Sequence, residues 1–182
     1  MNVLGELWTA RVTSHIALAQ VAALLTGERV LKAIRLADRT LHRAGYAAPR
    51  IAVAALNPHG GEGGLFGREE LDIIGPAVAA AQAEGIGAEG PYPADTIFLR
   101  ARRGAVDAIV CMYHDQGQIA MKLLGFDRGV TVCAGLPVVL ATPAHGTAFD
   151  IAGQGVANPG ALGEAIRVAA RLAAGEPAGQ GT

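Results

Sequence analysis

Aromatic residues are scarce in this chain, at 4% of its 182 positions. Its core must therefore be built from small aliphatic side chains, which suits helices packed closely on a sheet. Cysteines number two, Cys111 and Cys133, in the apolar runs AIVCMY and VTVCAG. They lack the paired spacing of a zinc or redox motif, and both read as buried, reduced thiols. Neither sign of charge dominates. Fifteen Lys and Arg stand against sixteen Asp and Glu, which leaves no basic surface for nucleic acid and no polybasic membrane patch. No run of ~18 apolar residues occurs, so no membrane-spanning helix is expected. The opening MNVLGELWTARV has no basic stretch followed by a long apolar one and does not read as a signal peptide. A cytoplasmic protein is expected.

The chain is rich in small and apolar residues: 25 glycines and a hydrophobic fraction of 51%. Residues 7–13 predict a strand that ends at Ser14 and His15. Residues 17–25 carry apolar positions at helical spacing. Residues 28–44 form a stronger amphipathic pattern, with Val30, Ala33, Ile34, Ala37 and Leu41 on one face and Gly45 as the stop. RIAVAAL, residues 50–56, predicts a buried strand. A glycine-rich loop covers 57–67, a helix 68–84 and a turn 90–93. Further strands are expected over 108–113, 129–134 and 138–141, with a helix over 116–124. A loop at 142–146 leads to a short helix at 147–153 and a closing helix over 159–174, with Pro at its start. Residues 175–182 read as a tail. Strands alternating with helices predict an α/β layered fold with a mostly parallel sheet. No internal repeat or domain boundary stands out.

Three histidines each follow an apolar strand: His15 in RVTSHIAL, His59 in LNPHGGEGG and His114 in MYHDQG. Ligands of open α/β sheets gather at the carboxyl ends of strands. Three imidazoles converging there can hold a divalent metal, and three unrelated loop histidines are the plain alternative. Five glycines in the eleven residues 57–67 let backbone approach a ligand. Glu62 in that loop is placed to orient an imidazole, or is a solvated loop residue. Asp115 is either a proton-transfer group or a helix cap. Lys122, further along, can hold an anion or simply extend over the surface. The segment AHGTAFDIAGQGVANPGAL brings His145 and Asn158 to a loop suited to a nucleotide, or leaves Asp150 and Asn158 as turn residues.

In order and spacing, PRIAVAALNPHGGEGGLFGREELDIIGPAV, GPYPADTIF, DAIVCMYHDQGQIAMKLLGF and HGTAFDIAGQGVANPGA resemble the 4-hydroxythreonine-4-phosphate dehydrogenase (PdxA) family. The resemblance runs from about Trp8 to Ala173. HGTAFDIAGQGVANP is also similar to the adenine loop of isopropylmalate and isocitrate dehydrogenases. The resemblance implies an isocitrate/isopropylmalate dehydrogenase-like fold, present over residues 1–174 without the family's N-terminal half. It implies a homodimer with a shared cleft, and a divalent metal, zinc above others, held by His15, His59 and His114 from both subunits. It implies NAD, or NADP, bound through His145, Gly146, Thr147 and Asn158. The implied reaction oxidises a secondary alcohol of a hydroxy acid or diol, followed in the name-giving case by decarboxylation. Lys122 matches a substrate lysine of the family, and Asp115 and Asp95 are cleft carboxylates with expected catalytic roles. Thr131 and Leu140 stand where the vitamin B6 enzymes carry Asn and Arg as substrate contacts. Leucine cannot replace a bidentate anion clamp.

Three readings follow. The first is a metal- and NAD-dependent alcohol dehydrogenase, whose substrate is a phosphorylated hydroxy acid or a cis-dihydrodiol of an aromatic dicarboxylate. The second is a shortened, non-catalytic dimerising remnant. The third, a metal-dependent hydrolase, leaves the nucleotide loop without a role.

Overall fold

The computed structural model describes residues 1–125 and 128–175. Two short strands, β1 (Asn2–Leu4) and β2 (Leu7–Arg11), fold back on each other. After them come α1 (Val21–Leu24), α2 (Gly27–Arg43), β3 (Ile51–Ala54), α3 (Gly75–Ala83) and β4 (Ala88–Tyr92). The chain continues through α4 (Ala94–Arg102), β5 (Ala108–Cys111), α5 (His114–Gly125), β6 (Val130–Val132), β7 (Ala141–Pro143) and α6 (Gly160–Ala174). One seven-stranded sheet results, in the order β4-β3-β5-β2-β1-β6-β7. The expected parallel sheet is its first half: β4, β3, β5 and β2 run parallel. An antiparallel extension of β1, β6 and β7 continues from β2.

The larger core lies between this sheet and α2, α3 and α6. Trp8, Ile34, Leu41, Ile51, Ile74 and Val110 are fully buried there. Each such side chain stabilises by roughly 1.5–3 kcal/mol relative to exposure. Helix α2 starts where the Thr26 hydroxyl accepts from the Arg29 N–H at 3.3 Å, and it turns Val30, Ala33, Ile34, Ala37 and Leu41 inward. Arg43 Nε donates to the Leu172 carbonyl and Arg171 Nε to that of Ala44, which fastens α6 to α2. On the opposite face, α4 packs Ile97 onto Ala52, Ala54, Ile109 and Cys111. Helix α5 comes close at Gly117, where a Cβ would lie 3.0 Å from Cys111 Sγ. Among the described residues, no helix is long and apolar enough to cross a membrane.

Several expectations need correcting. The turn expected at 90–93 is the end of β4, which continues to Tyr92. Pro91 is tolerated because β4 is an edge strand and one of its N–H rows needs no partner. Helix α4 and strand β1 carry no clear signal of their own. The helix expected over 68–84 opens with a wide π-turn, Glu70–Ile74, before α3. Pro76 has no N–H to extend the α ladder backward, so the preceding turn widens. The last strand is Ala141–Pro143 rather than 138–141, because its pairing with Val130–Val132 sets the register. Residues 17–25 divide into a 3-10 turn, Leu18–Gln20, and the single-turn α1. Cys111 is buried as expected, but Cys133 lies just beyond the paired residues of β6 and is exposed. Of the expected tail, residues 176–182 lie outside the described residues.

Candidate functional site

Strands β3, β5 and β2 are adjacent and parallel, so their carboxyl ends form one crest. His59, His114 and His15 follow these three strands in turn. The crest is stitched together by two polar side chains. Thr13 Oγ1 donates to the Met112 carbonyl at 2.7 Å, joining β2 to β5. Gln116 accepts from the Met112 N–H at 2.7 Å and donates to the Ala55 carbonyl at 2.8 Å, joining β5 to β3. Neither residue is singled out by motif reading, because the partner carbonyls lie far away in sequence.

His15 and His114 face one another across the β2–β5 pair, with ring centroids 5.7 Å apart. They border an open cleft of about 420 Å³, together with Ile16, Leu18, Tyr113 and Asp115. His114 Nδ1 lies 2.6 Å from Asp115 Oδ1. Asp115 therefore sits in the first turn of α5 as an orienting partner of the imidazole, not ahead of the helix as its cap.

His59 is presented differently. Residues His59, Gly60, Gly61, Glu62 and Gly63 all have left-handed backbone, with φ between 42° and 79°. This is one turn of left-handed helix, which L-residues resist by about 1–2 kcal/mol each and glycine does not. The glycine content of the loop is thereby explained. His59 Nδ1 lies 2.8 Å from Glu62 Oε1, as expected for an orienting carboxylate, and the ring meets Phe66 edge-on at 6.2 Å. Behind the turn, the buried Glu70 carboxylate accepts from the N–H groups of Leu56 and Asn57 and from the Asn57 amide.

The remaining expected residues are scattered. Asp95 is exposed in the first turn of α4 and does not border the His15–His114 cleft. Lys122 borders a small cavity of about 20 Å³ with Asn2, Gln118 and Met121. Thr131 Oγ1 accepts from Asn2 Nδ2 at 3.1 Å. Leu140 is not brought to Lys122. It borders a separate cavity with Thr40, Arg43 and Leu172, on the α2 and α6 side. In the last loop His145 Nδ1 lies 2.8 Å from the carbonyl of Gly146, and Asn158 Oδ1 accepts from the Gly160 N–H ahead of α6. Thr147 is exposed between them. Among the described residues, no three His, Cys, Asp or Glu side chains of one chain are gathered for a metal. Burial pushes the Cys111 thiol up to about 12, so it is no nucleophile.

Among the described residues, four non-glycine residues have positive φ: His15, His59, Glu62 and Ala148. All four lie in the three loops that carry the candidate chemistry. Backbone strain of this kind collects at functional sites.

A mostly parallel sheet layered with helices, with imidazoles and carboxylates along its carboxyl crest, defines a protein of the layered α/β class, in which ligands gather at strand ends. The comparisons then place it. Residues 1–169 match the family described as Pyridoxal phosphate biosynthetic protein PdxA, and the chain belongs to that family. It is 64% identical over 173 residues to a Pseudomonas aeruginosa protein provisionally named 4-hydroxythreonine-4-phosphate dehydrogenase 2, covering 94% of this chain and 51% of the relative. A solved 4-hydroxythreonine-4-phosphate dehydrogenase from Klebsiella pneumoniae superimposes with a TM-score of 0.84 at 47% identity, covering 94% of this chain and 52% of that one. A terephthalate 1,2-cis-dihydrodiol dehydrogenase from Burkholderia xenovorans gives 0.76 at 36%, covering 93% and 54%. The chain spans about half the length of the curated relatives it matches.

Proposed function

We propose that this chain carries the metal- and cofactor-binding portion of an NAD-dependent oxidation of a secondary alcohol, of the 4-hydroxythreonine-4-phosphate dehydrogenase type. The observation that carries the reading is the crest itself. Two imidazoles face each other at the ends of β2 and β5, and a third is presented from the end of β3. His59 and His114 each commit Nδ1 to a carboxylate neighbour, which leaves Nε2 as the outward nitrogen. Imidazole nitrogens backed by carboxylates suit a borderline ion such as zinc. His15, His59 and His114 would hold it. Since the described residues of one chain gather no set of three ligands, the reading calls for a homodimer in which both subunits contribute. When bound, the ion would supply Lewis acidity for oxidation of a substrate hydroxyl and for a following decarboxylation.

The chain's own groups would do the rest. Asp115 would keep His114 oriented, and Asp95 is a further exposed carboxylate, in the first turn of α4. Lys122 holds the anionic end of a hydroxy acid as a point charge. His145, Gly146, Thr147 and Asn158 form the exposed loop that would receive NAD, or NADP, ahead of α6. The reaction belongs in the cytoplasm, where the nucleotide is available.

A second reading keeps the chemistry and changes the substrate. Leu140 offers no cation, and it lies apart from Lys122. A cis-dihydrodiol of an aromatic acid needs no phosphate clamp, and the 36%-identical Burkholderia structure is named for such a substrate.

Calorimetric titration of the chain with NAD, with and without zinc, tests the first reading. Micromolar to millimolar binding that strengthens with zinc is expected, followed by turnover of a hydroxy acid phosphate or a dihydrodiol. A folded, zinc-loaded chain that binds no nucleotide would be a non-catalytic remnant.

A further inference from the structure

We propose that Glu70 is a positioning residue whose buried carboxylate holds the left-handed turn that presents His59. The proposal rests on the reading of His59 as a metal ligand. Glu70 is 4% exposed, at the start of the π-turn before α3. Its Oε1 accepts from two successive N–H groups, Leu56 and Asn57, both at 2.8 Å, where the chain leaves β3. Its Oε2 accepts from Asn57 Nδ2 at 2.9 Å, and that amide also donates to Glu69 Oε2 at 2.6 Å. The carboxylate is thus an acceptor for three N–H bonds and donates none.

The backbone at the edges of the turn holds it only loosely. The backbone bonds at its two ends are long: Gly60 N to Asn57 O at 3.2 Å, Phe66 N to Gly61 O at 3.2 Å, and Leu65 N to Glu62 O at 3.4 Å. Two of its residues, His59 and Glu62, sit in left-handed backbone that side chains disfavour. Such a conformation persists only where its surroundings over-determine it. The fit is close on the concave side as well. A Cβ at Gly61 would lie 2.6 Å from Glu70 Oε2, and a Cβ at Gly67 would lie 2.5 Å from Asn57 Nδ2. The turn wraps the Glu70–Asn57 pair, and Pro58 carries the direction set at Asn57 into His59.

Glutamine is the informative replacement. It has nearly the same shape, but one of its two oxygens becomes an NH₂ donor. It can accept from the two backbone N–H groups or from the Asn57 amide, and its NH₂ must then face another donor.

The test uses the full chain with Glu70→Gln, Asn57→Ala and His59→Ala, reading imidazole ¹⁵N spectra and zinc titrations. In the parent, His59 is expected to show one tautomer, protonated at Nδ1. In Glu70→Gln its resonances should move toward tautomer averaging while those of His42 and His145 stay in place, and zinc affinity should fall about 10–100-fold. Unchanged His59 resonances and zinc affinity in a folded Glu70→Gln chain overturn the proposal. If that variant does not fold, Asn57→Ala, which removes only the side-chain bonds, must shift the same resonances in the same direction, and no shift overturns it equally. His59→Ala separates the two layers. Undiminished zinc binding there removes the metal reading, and the His59 spectra of the other variants then judge Glu70 alone.

Discussion

Two glycine-rich loops carry most of the candidate chemistry, and they are built in opposite ways. The turn at His59 is folded against its own chain. The buried Glu70 carboxylate and the Asn57 side-chain amide fix the chain where it enters the turn. The loop from His145 to Asn158 reaches outward. Three side-chain bonds within it are local: His145 with Gly146, Gln154 Nε2 to the Asp150 carbonyl, and Asn158 Oδ1 with Gly160 N–H. Phe149 is 82% exposed in its middle. A group that must meet a small ion gains from being held rigidly in advance. A loop that must close around a large, flat ligand gains from staying open until the ligand arrives. The pairing of a rigid and an open loop on one sheet fits the metal-and-nucleotide reaction proposed above.

The sharpest way to break this contrast is to fill the rigid turn. Gly61 has φ +79°, and a Cβ there would lie 2.6 Å from Glu70 Oε2 and 3.2 Å from the Gly67 carbonyl. Gly61→Ala must bear the left-handed penalty and also displace the carboxylate from its donors. Together these cost about 3 kcal/mol. The midpoint of thermal unfolding, followed by circular dichroism, should fall by roughly 6–12 °C. A loss of under about 1 kcal/mol would mean that the turn yields easily and is not clamped.

A smaller effect is expected from acid. Burial draws the Glu70 carboxyl upward, but hydrogen bonds from the Asn57 side chain and from nearby backbone N–H groups outweigh it. The net result holds the group below the ordinary carboxylate value. A carboxyl depressed on folding stabilises the native state fully above its unfolded value, and that contribution is lost as pH falls through the folded one. Urea unfolding at steps from pH 7 to pH 3 should therefore show the parent and Glu70→Gln converging only below the ordinary carboxylate range. A difference that stays constant over the whole series would deny Glu70 its charged role.

Much of this contrast is legible in the sequence, but not its causes. The apolar runs at β3 and β5 announce buried parallel strands, and the histidines after them announce the crest. The glycine loop announces a special backbone. What the residues cannot announce is the partner. Glu70 reads as one of several helical acids until the fold brings it under Leu56, fourteen positions earlier. Gln116 bridges to a carbonyl sixty-one positions away. Strand β1 has three residues, and β4 mixes Glu, Gly and Pro, so neither carries a strand pattern of its own. They are strands because neighbours pair with them. The distance between Lys122 and Leu140 has the same origin. Lys122 lies on α5 and Leu140 just ahead of β7, and the two border separate cavities.

The smallest effect sharpens the comparison from the other loop. Gly153 has φ +77°, close to that of Gly61, but nothing lies within 4 Å of a Cβ placed there. Gly153→Ala bears the backbone penalty alone, about 1 kcal/mol, and an open loop can relax part of it by local adjustment. The expected fall in the unfolding midpoint is roughly 2–4 °C or less. The two substitutions share a residue change and nearly share a φ, so their difference isolates what surrounds the loop. If Gly153→Ala costs as much as Gly61→Ala, the second loop is clamped as firmly as the first, and the division into a rigid and an open half does not hold.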